Sequence, residues 1–219
     1  RPCFSYKAVP VTNSALLSAS CLKLFPATAI SGELNTIPST VSRLAPAAVR
    51  WLDVPDGSYE NGANLPEARA VIDHLEHLLR RPDKPSLGIV TFNLTQRRAI
   101  LDEIDRRVGA DAGFAELWLR ANAVPRIDDR PFVKNLESVQ GDERDIMYFS
   151  ITYGPDHAGA VSMNFGPMNR GGGERRLNVA ITRARLELRV FSSLKGEQMD
   201  LARTQALGVR DLKHFLEFA

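Results

Sequence analysis

From Val49 onward the chain alternates short apolar runs with longer amphipathic segments, and this alternation restricts the fold more than anything else in its 219 residues. Val49 to Val54, Leu87 to Phe92, Pro131 to Leu136, Ile146 to Thr152 and Glu187 to Ser192 read as strands. Pro66 to Arg80, Leu94 to Val108, Phe114 to Ala123, Glu174 to Arg185 and Val209 to Phe218 read as helices, with Pro66 suited to a first turn, Asn93 to a cap and Gly109 to a stop. Strands separated by helices are joined by crossovers rather than hairpins. The expectation is an α/β domain with a mostly parallel sheet and helices on both faces. In such sheets ligands gather beyond the carboxyl ends of the strands.

Hydrophobic residues make up 44% of the chain, enough for a real core. The two cysteines, Cys3 and Cys21, form no CxxC pair, which argues against a disulfide scaffold or a zinc cluster. His74 and His77 sit one helical turn apart without a carboxylate or thiol to complete a site, so no metal is expected. No apolar run of about 18 residues and no leader pattern occurs. The reading is a cytoplasmic chain without a membrane partner. Residues 1–48, interrupted by Pro10, Pro26, Pro38 and Pro46, show no sustained period and are read as a divergent or truncated lead-in to a domain over 49–219.

The net charge of +2 announces no partner, but Arg170 to Arg189 holds six arginines against two glutamates. On a helix, ERRLNVAITRAR places Leu177, Ala180, Ile181 and Ala184 in one apolar stripe, Arg176 and Arg183 on one flank, and Asn178 and Arg185 on the other. A merely solvated amphipathic helix is the plainer reading. On the Leu94 to Val108 helix, Arg97 projects from within a stripe of Leu94, Ile100, Leu101, Ile104 and Val108, where its charge must escape to water or meet an anion. In SVQGDERD, Gly141 permits a close backbone approach, Gln140 and Glu143 offer polar groups, and Asp142 and Arg144 read as solvated turn charges. No Gly-Lys dipeptide occurs anywhere, so the chain has no phosphate-cradling loop of its own. Asp102-Glu103 reads as solvated helix charge, and Gly171 to Gly173 as a flexible connector. The insertion over 154–173, with Met163, Phe165 and Met168, reads as reaching toward nucleic acid or a partner domain.

The segments VKNLESVQGDERDIMYFSITY and ERRLNVAITRAR together resemble motifs V and VI of superfamily one helicases, and FNLTQRR resembles motif IV. The likeness is to the branch with the nonsense-mediated-decay and Dna2-type enzymes. It is nearest to the second RecA-like domain of large bacterial helicase-related proteins carrying QGDERD, FGP and GGERRLNVA strings, and it runs from Leu87 to Phe218, with Leu24-Phe25-Pro26 resembling a further short string. The resemblance implies a RecA-like carboxy-terminal motor half with Arg183 as arginine finger, Arg97 on the terminal phosphate and Arg176 in support. It implies Glu143 on the ribose, and Gln140 with Gly141 coupling nucleotide to nucleic acid. Asn135 stands where relatives use threonine or serine on the nucleic-acid backbone, with Asn178 and Arg185 completing the grip. ATP and Mg2+ are implied for the full-length protein, with none held tightly by this segment, which is expected to be silent alone. Single-stranded nucleic acid, DNA before RNA, and an amino-terminal RecA-like domain of the same polypeptide are the implied partners. The alternative is a non-hydrolysing nucleic-acid-binding or protein-docking module on the same fold.

Overall fold

The computed structural model describes residues 49–219, so the lead-in and its Leu24-Phe25-Pro26 string lie outside the described residues. Five strands, β1 (Val49–Asp53), β2 (Leu87–Thr91), β3 (Phe132–Asn135), β4 (Arg144–Ser150) and β5 (Ala184–Ser192), form one sheet in the order β1-β5-β4-β2-β3, with every pairing parallel. Five α-helices accompany them: α1 (Leu65–Leu79), α2 (Leu94–Ala110), α3 (Ala112–Asn122), α4 (Gly173–Ile181) and α5 (Leu207–Phe218). Successive strand residues face opposite sides. Ile89 and Tyr148 therefore pack with Ile72, Leu75, Ile100, Ile104 and Phe114 of α1, α2 and α3. Their neighbours Val90 and Phe149 pack with Leu177, Leu212 and Phe215 of α4 and α5. The inner strand β2, between β4 and β3, is buried along its whole length, as a strand covered on both faces must be. The carboxyl ends align in one row, with Asn135 opposite Thr91, Thr91 opposite Ser150, and Ser150 opposite Phe191.

Several local readings change. The α2 helix runs through Gly109 to Ala110, because Asp111 supplies both its end and the cap of α3, accepting the Gly113 and Phe114 amides at 2.8 and 3.1 Å. The buried side of α2 is Gln96, Ile100 and Ile104, while Leu94 is 64% exposed. The arginine helix stops at Ile181, four residues early. Thr182 Oγ1 and Arg183 Nε both donate to the Val179 carbonyl at 2.9 Å, and Ala184 already pairs with Arg144 as the first residue of β5. Sheet pairing thus overrides the helical period, leaving Arg183 in a turn and Arg185 on a strand. The insertion folds inward, since Met163, Phe165 and Met168 join the core beneath α4 and α5. Gly173 is no loose connector either: a Cβ there would lie 2.7 Å from the Met168 carbonyl, so only glycine lets α4 seat against that turn. Arg144, expected to be solvated, is buried, donates to the Arg130 carbonyl at 2.8 and 2.9 Å, and lies over the Phe132 ring. Among the described residues no helix is long and apolar enough to cross a membrane.

Candidate functional site

Two polar constellations occupy opposite ends of the sheet. At the amino ends of β4 and β5, Glu143 lies between two guanidinium groups. Arg183 Nη1 is 3.6 Å from one of its carboxylate oxygens and Arg185 Nε is 3.9 Å from the other. Arg185 Nη1 is also 3.6 Å from Asp145, which is itself fixed by the Ser86 amide at 2.9 Å and hydroxyl at 2.8 Å. The turn bearing Gln140 and Gly141 leads into this cluster, with Gly141 at φ 89° and open space where a side chain would project. Arg183 is aimed by its Nε bond to Val179 and by Nη2 donating to Thr182 Oγ1 at 3.0 Å. None of the charge-to-charge contacts is short enough for a strong hydrogen bond.

At the carboxyl ends lies a groove of about 340 Å³ lined by Tyr59, Asn93, Asn135, Tyr153 and Arg170, among others. Tyr59 and Tyr153 meet edge to face at 5.2 Å, and Tyr153 packs in turn on Phe165 at 5.4 Å. Burial raises both phenols above their ordinary range, so they remain neutral hydrogen-bonding groups. Asn135 is buried, and its side-chain oxygen accepts from Ser138 Oγ.

Of the residues predicted from sequence, the structure gathers Arg183, Glu143 and Arg185 with the Gln140-Gly141 turn. It does not bring Arg97 to them. Arg97 Nε donates to the Val133 carbonyl at 2.9 Å on the edge strand β3. Val133 is aligned through Ile89 with Tyr148, five residues beyond Glu143 on β4, about 16 Å along the strands. Arg176 stands nearer the start of α4, 3.7 Å from Glu137 and bonded to the Gly171 carbonyl, away from Arg183. The expected nucleic-acid set is divided as well. Asn135 lies in the carboxyl-end groove, whereas Arg185 sits six residues before the aligned Phe191, about 20 Å down the strand. Asn178 is half-buried in the middle of α4. Among the described residues no cluster of His, Cys, Asp and Glu can hold a metal, and His74 stacks edge to face on Phe191 instead.

Beneath the groove lies a network that sequence reasoning missed. Gln96 accepts the Asn64 amide at 2.7 Å and donates through Nε2 to the Asn64 carbonyl and to Ser150 Oγ, both at 3.0 Å. Asn64 caps α1 and donates to Ser193 Oγ at 2.9 Å. Glu67 Oε1 accepts from Ser150 Oγ at 2.5 Å and from the Thr152 amide at 2.7 Å, holding Thr152 at φ 74°, an unusual conformation for a β-branched residue. Its Oε2 faces the Ser193 amide without a formed hydrogen bond. Burial dominates, and the carboxyl is pushed up to about 8 against the opposing pull of these donors. The pattern Asn64-Leu-Pro-Glu67, a cap followed by an acid at the third helical position, was the available signal.

Residues 30–195 match the model of a family described as AAA domain. The chain is 41% identical over 167 residues to an uncharacterized ATP-dependent helicase of Mycoplasma genitalium, and 38% identical over 167 residues to its homologue in Mycoplasma pneumoniae. Each alignment covers 75% of this chain and 14% of the relative, so the chain spans about one seventh of the length of these helicases. The parallel five-stranded sheet flanked by helices agrees with both likenesses. The chain thus belongs to the AAA domain family and is a helicase-related domain of RecA-like fold.

Proposed function

We propose that this domain is the carboxy-terminal motor half of an ATP-dependent superfamily one helicase or translocase, completed by an amino-terminal RecA-like domain of the same polypeptide. The observation that carries the reading is the meeting of Arg183, Arg185 and Glu143 at the amino ends of β4 and β5. A chain without a phosphate loop that nevertheless presents two arginines beside a half-exposed carboxylate has the complementary half of a nucleotide site.

The residues fit such a group. Glu143 holds Arg183 through a contact of 3.6 Å, which a hydroxyl or phosphate oxygen at hydrogen-bond distance outcompetes. With Glu143 engaged by a ribose hydroxyl, the Arg183 fork is released toward an anion, its Nε still anchored on Val179. A bound nucleotide with its magnesium supplies the phosphoryl group on which that charge acts. Arg97, engaged with Val133, and Arg176, beside Glu137, are secondary in this reading. The carboxyl-end groove around Asn135 takes single-stranded nucleic acid, DNA before RNA. Placing the two faces at opposite ends of one sheet lets closure on the partner domain and grip on the strand move together.

The test is hydrolysis and nucleotide binding by the full-length protein. Arg183→Ala is expected to lower turnover by about 10³-fold or more while affecting nucleotide affinity far less, because such an arginine acts mainly on the transition state. This chain alone is expected to hydrolyse nothing. Near-normal turnover in the Arg183 variant would make the residue structural and overturn the reading.

A further inference from the structure

Among the described residues, Arg69, Arg98, Arg170 and Arg203 are the arginines that make neither an ion pair nor a side-chain hydrogen bond; every other one is engaged by a carboxylate or a carbonyl. Three of these four unengaged arginines line two adjoining grooves. Arg170 lines the carboxyl-end groove with Tyr59 and Asn135. Arg69 and Arg98 line a second groove of about 350 Å³ between α1 and α2. Thr95, in the first turn of α2, belongs to both. Gly62 adjoins Thr95 where the grooves meet, its own Cβ position 3.2 Å from Thr95 Oγ1.

We propose that these grooves form one continuous track for a single strand, which leaves the Asn135 groove over Thr95 and runs along the α1–α2 seam with its phosphates on Arg98 and Arg69. The track rests on the nucleic-acid reading above and extends it onto a face with no assigned role. A guanidinium that makes no ion pair or side-chain hydrogen bond among the described residues is open to a phosphate oxygen, and its fork matches that geometry, even where, as at Arg69, the charge of Glu103 is near enough to be felt. Leu94 and Leu65 flank the passage at 64% and 53% exposed, giving apolar surface on which sugars and bases rest. Asp102 and Glu103 line the far part of the seam, where Glu103 already holds Arg106 at 2.5 Å, and their charge ends the track. The other unengaged arginine, Arg203, lines neither groove and serves as the internal control.

Fluorescence anisotropy on the full-length protein, with oligothymidylates of increasing length across a salt series, tests the track. Wild-type affinity is expected to keep rising with length beyond what the Asn135 groove holds. The double variant Arg69→Gln/Arg98→Gln should lose that gain on long strands and lower the log–log salt slope by about 0.7 for each phosphate contact removed. Arg170→Gln should weaken short and long strands alike, and Arg203→Gln neither. If the Arg69/Arg98 variant behaves like Arg203→Gln while the wild type binds, the track is wrong and the Asn135 groove stands. If the wild type binds no oligonucleotide, the nucleic-acid reading of the domain fails first.

Discussion

The two ends of this sheet solve opposite problems with similar residue types. At the amino end, Arg183, Arg185, Glu143 and Asp145 are partly exposed charges held 3.6 to 3.9 Å apart. At the carboxyl end, Asn64, Gln96, Ser150 and Thr152 are fully buried and bonded at 2.5 to 3.2 Å around the one carboxyl of Glu67. Burial makes each bond of the second set hard to give up, because nothing replaces it; exposure makes the first set exchangeable at small cost. The carboxyl-end network stitches α1 and α2 to the tip of β4 and gives the carboxyl-end groove a bonded floor. The amino-end cluster has no such buried scaffold, which is what the proposed nucleotide site requires of it.

The comparison breaks most visibly at Gln96. Its amide satisfies the Asn64 amide, the Asn64 carbonyl and Ser150 Oγ, none of which can reach water. Gln96→Ala is expected to cost about 3 kcal/mol or more, combining unsatisfied buried groups with a cavity. Urea denaturation measures it, and a cost below about 1 kcal/mol would mean that these bonds do not hold the floor.

Glu67 sharpens the contrast through pH. Its carboxyl sits near 8 in the folded chain and near the ordinary 4.5 in the unfolded one. Between these values the folded state holds a proton that the unfolded state has lost, so stability falls as pH rises, by about 1.4 kcal/mol per unit from this group alone. The contribution is complete below about 4.5 and gone above about 8. Glu67→Gln, neutral throughout, should flatten the difference between urea curves taken at about pH 5 and about pH 8. Equal pH dependence in both proteins would show that Glu67 is ionised inside the fold.

The same division explains what the sequence disclosed. The five strands and their intervening helices were legible because apolar runs, the Asn93 cap and the first-turn Pro66 act locally. The turn after Ile181 was not, since the period of ERRLNVAITRAR continues smoothly through it and only pairing with Arg144 stops the helix. Glu143 and Arg183 were legible as types but not as neighbours, being forty residues apart and joined by parallel pairing. Gln96 and Glu67 escaped notice because a polar residue on a helix reads as surface until a second element is laid over it. The carboxyl-end rule gave weight to Arg97, whereas the charge cluster of Arg183, Arg185 and Glu143 lies at the amino ends, and no sign in the sequence marked that the two would be separated.

The smallest expected effect lies at Arg185. Its guanidinium makes contacts of 3.9 Å with Glu143 and 3.6 Å with Asp145, with the side chain 38% exposed and a carbonyl of Glu143 at 3.5 Å. Pairs of this kind gain little over solvation and are screened by salt. Arg185→Gln should therefore change stability by less than about 1 kcal/mol, and whatever loss appears at low salt should shrink as salt is added. Asp145 keeps both Ser86 bonds, so no buried charge is orphaned by the change. A loss of several kcal/mol in urea denaturation, insensitive to salt, would mean that the amino-end charges are as structural as the carboxyl-end amides. Their looseness would then no longer support a site waiting for an anion.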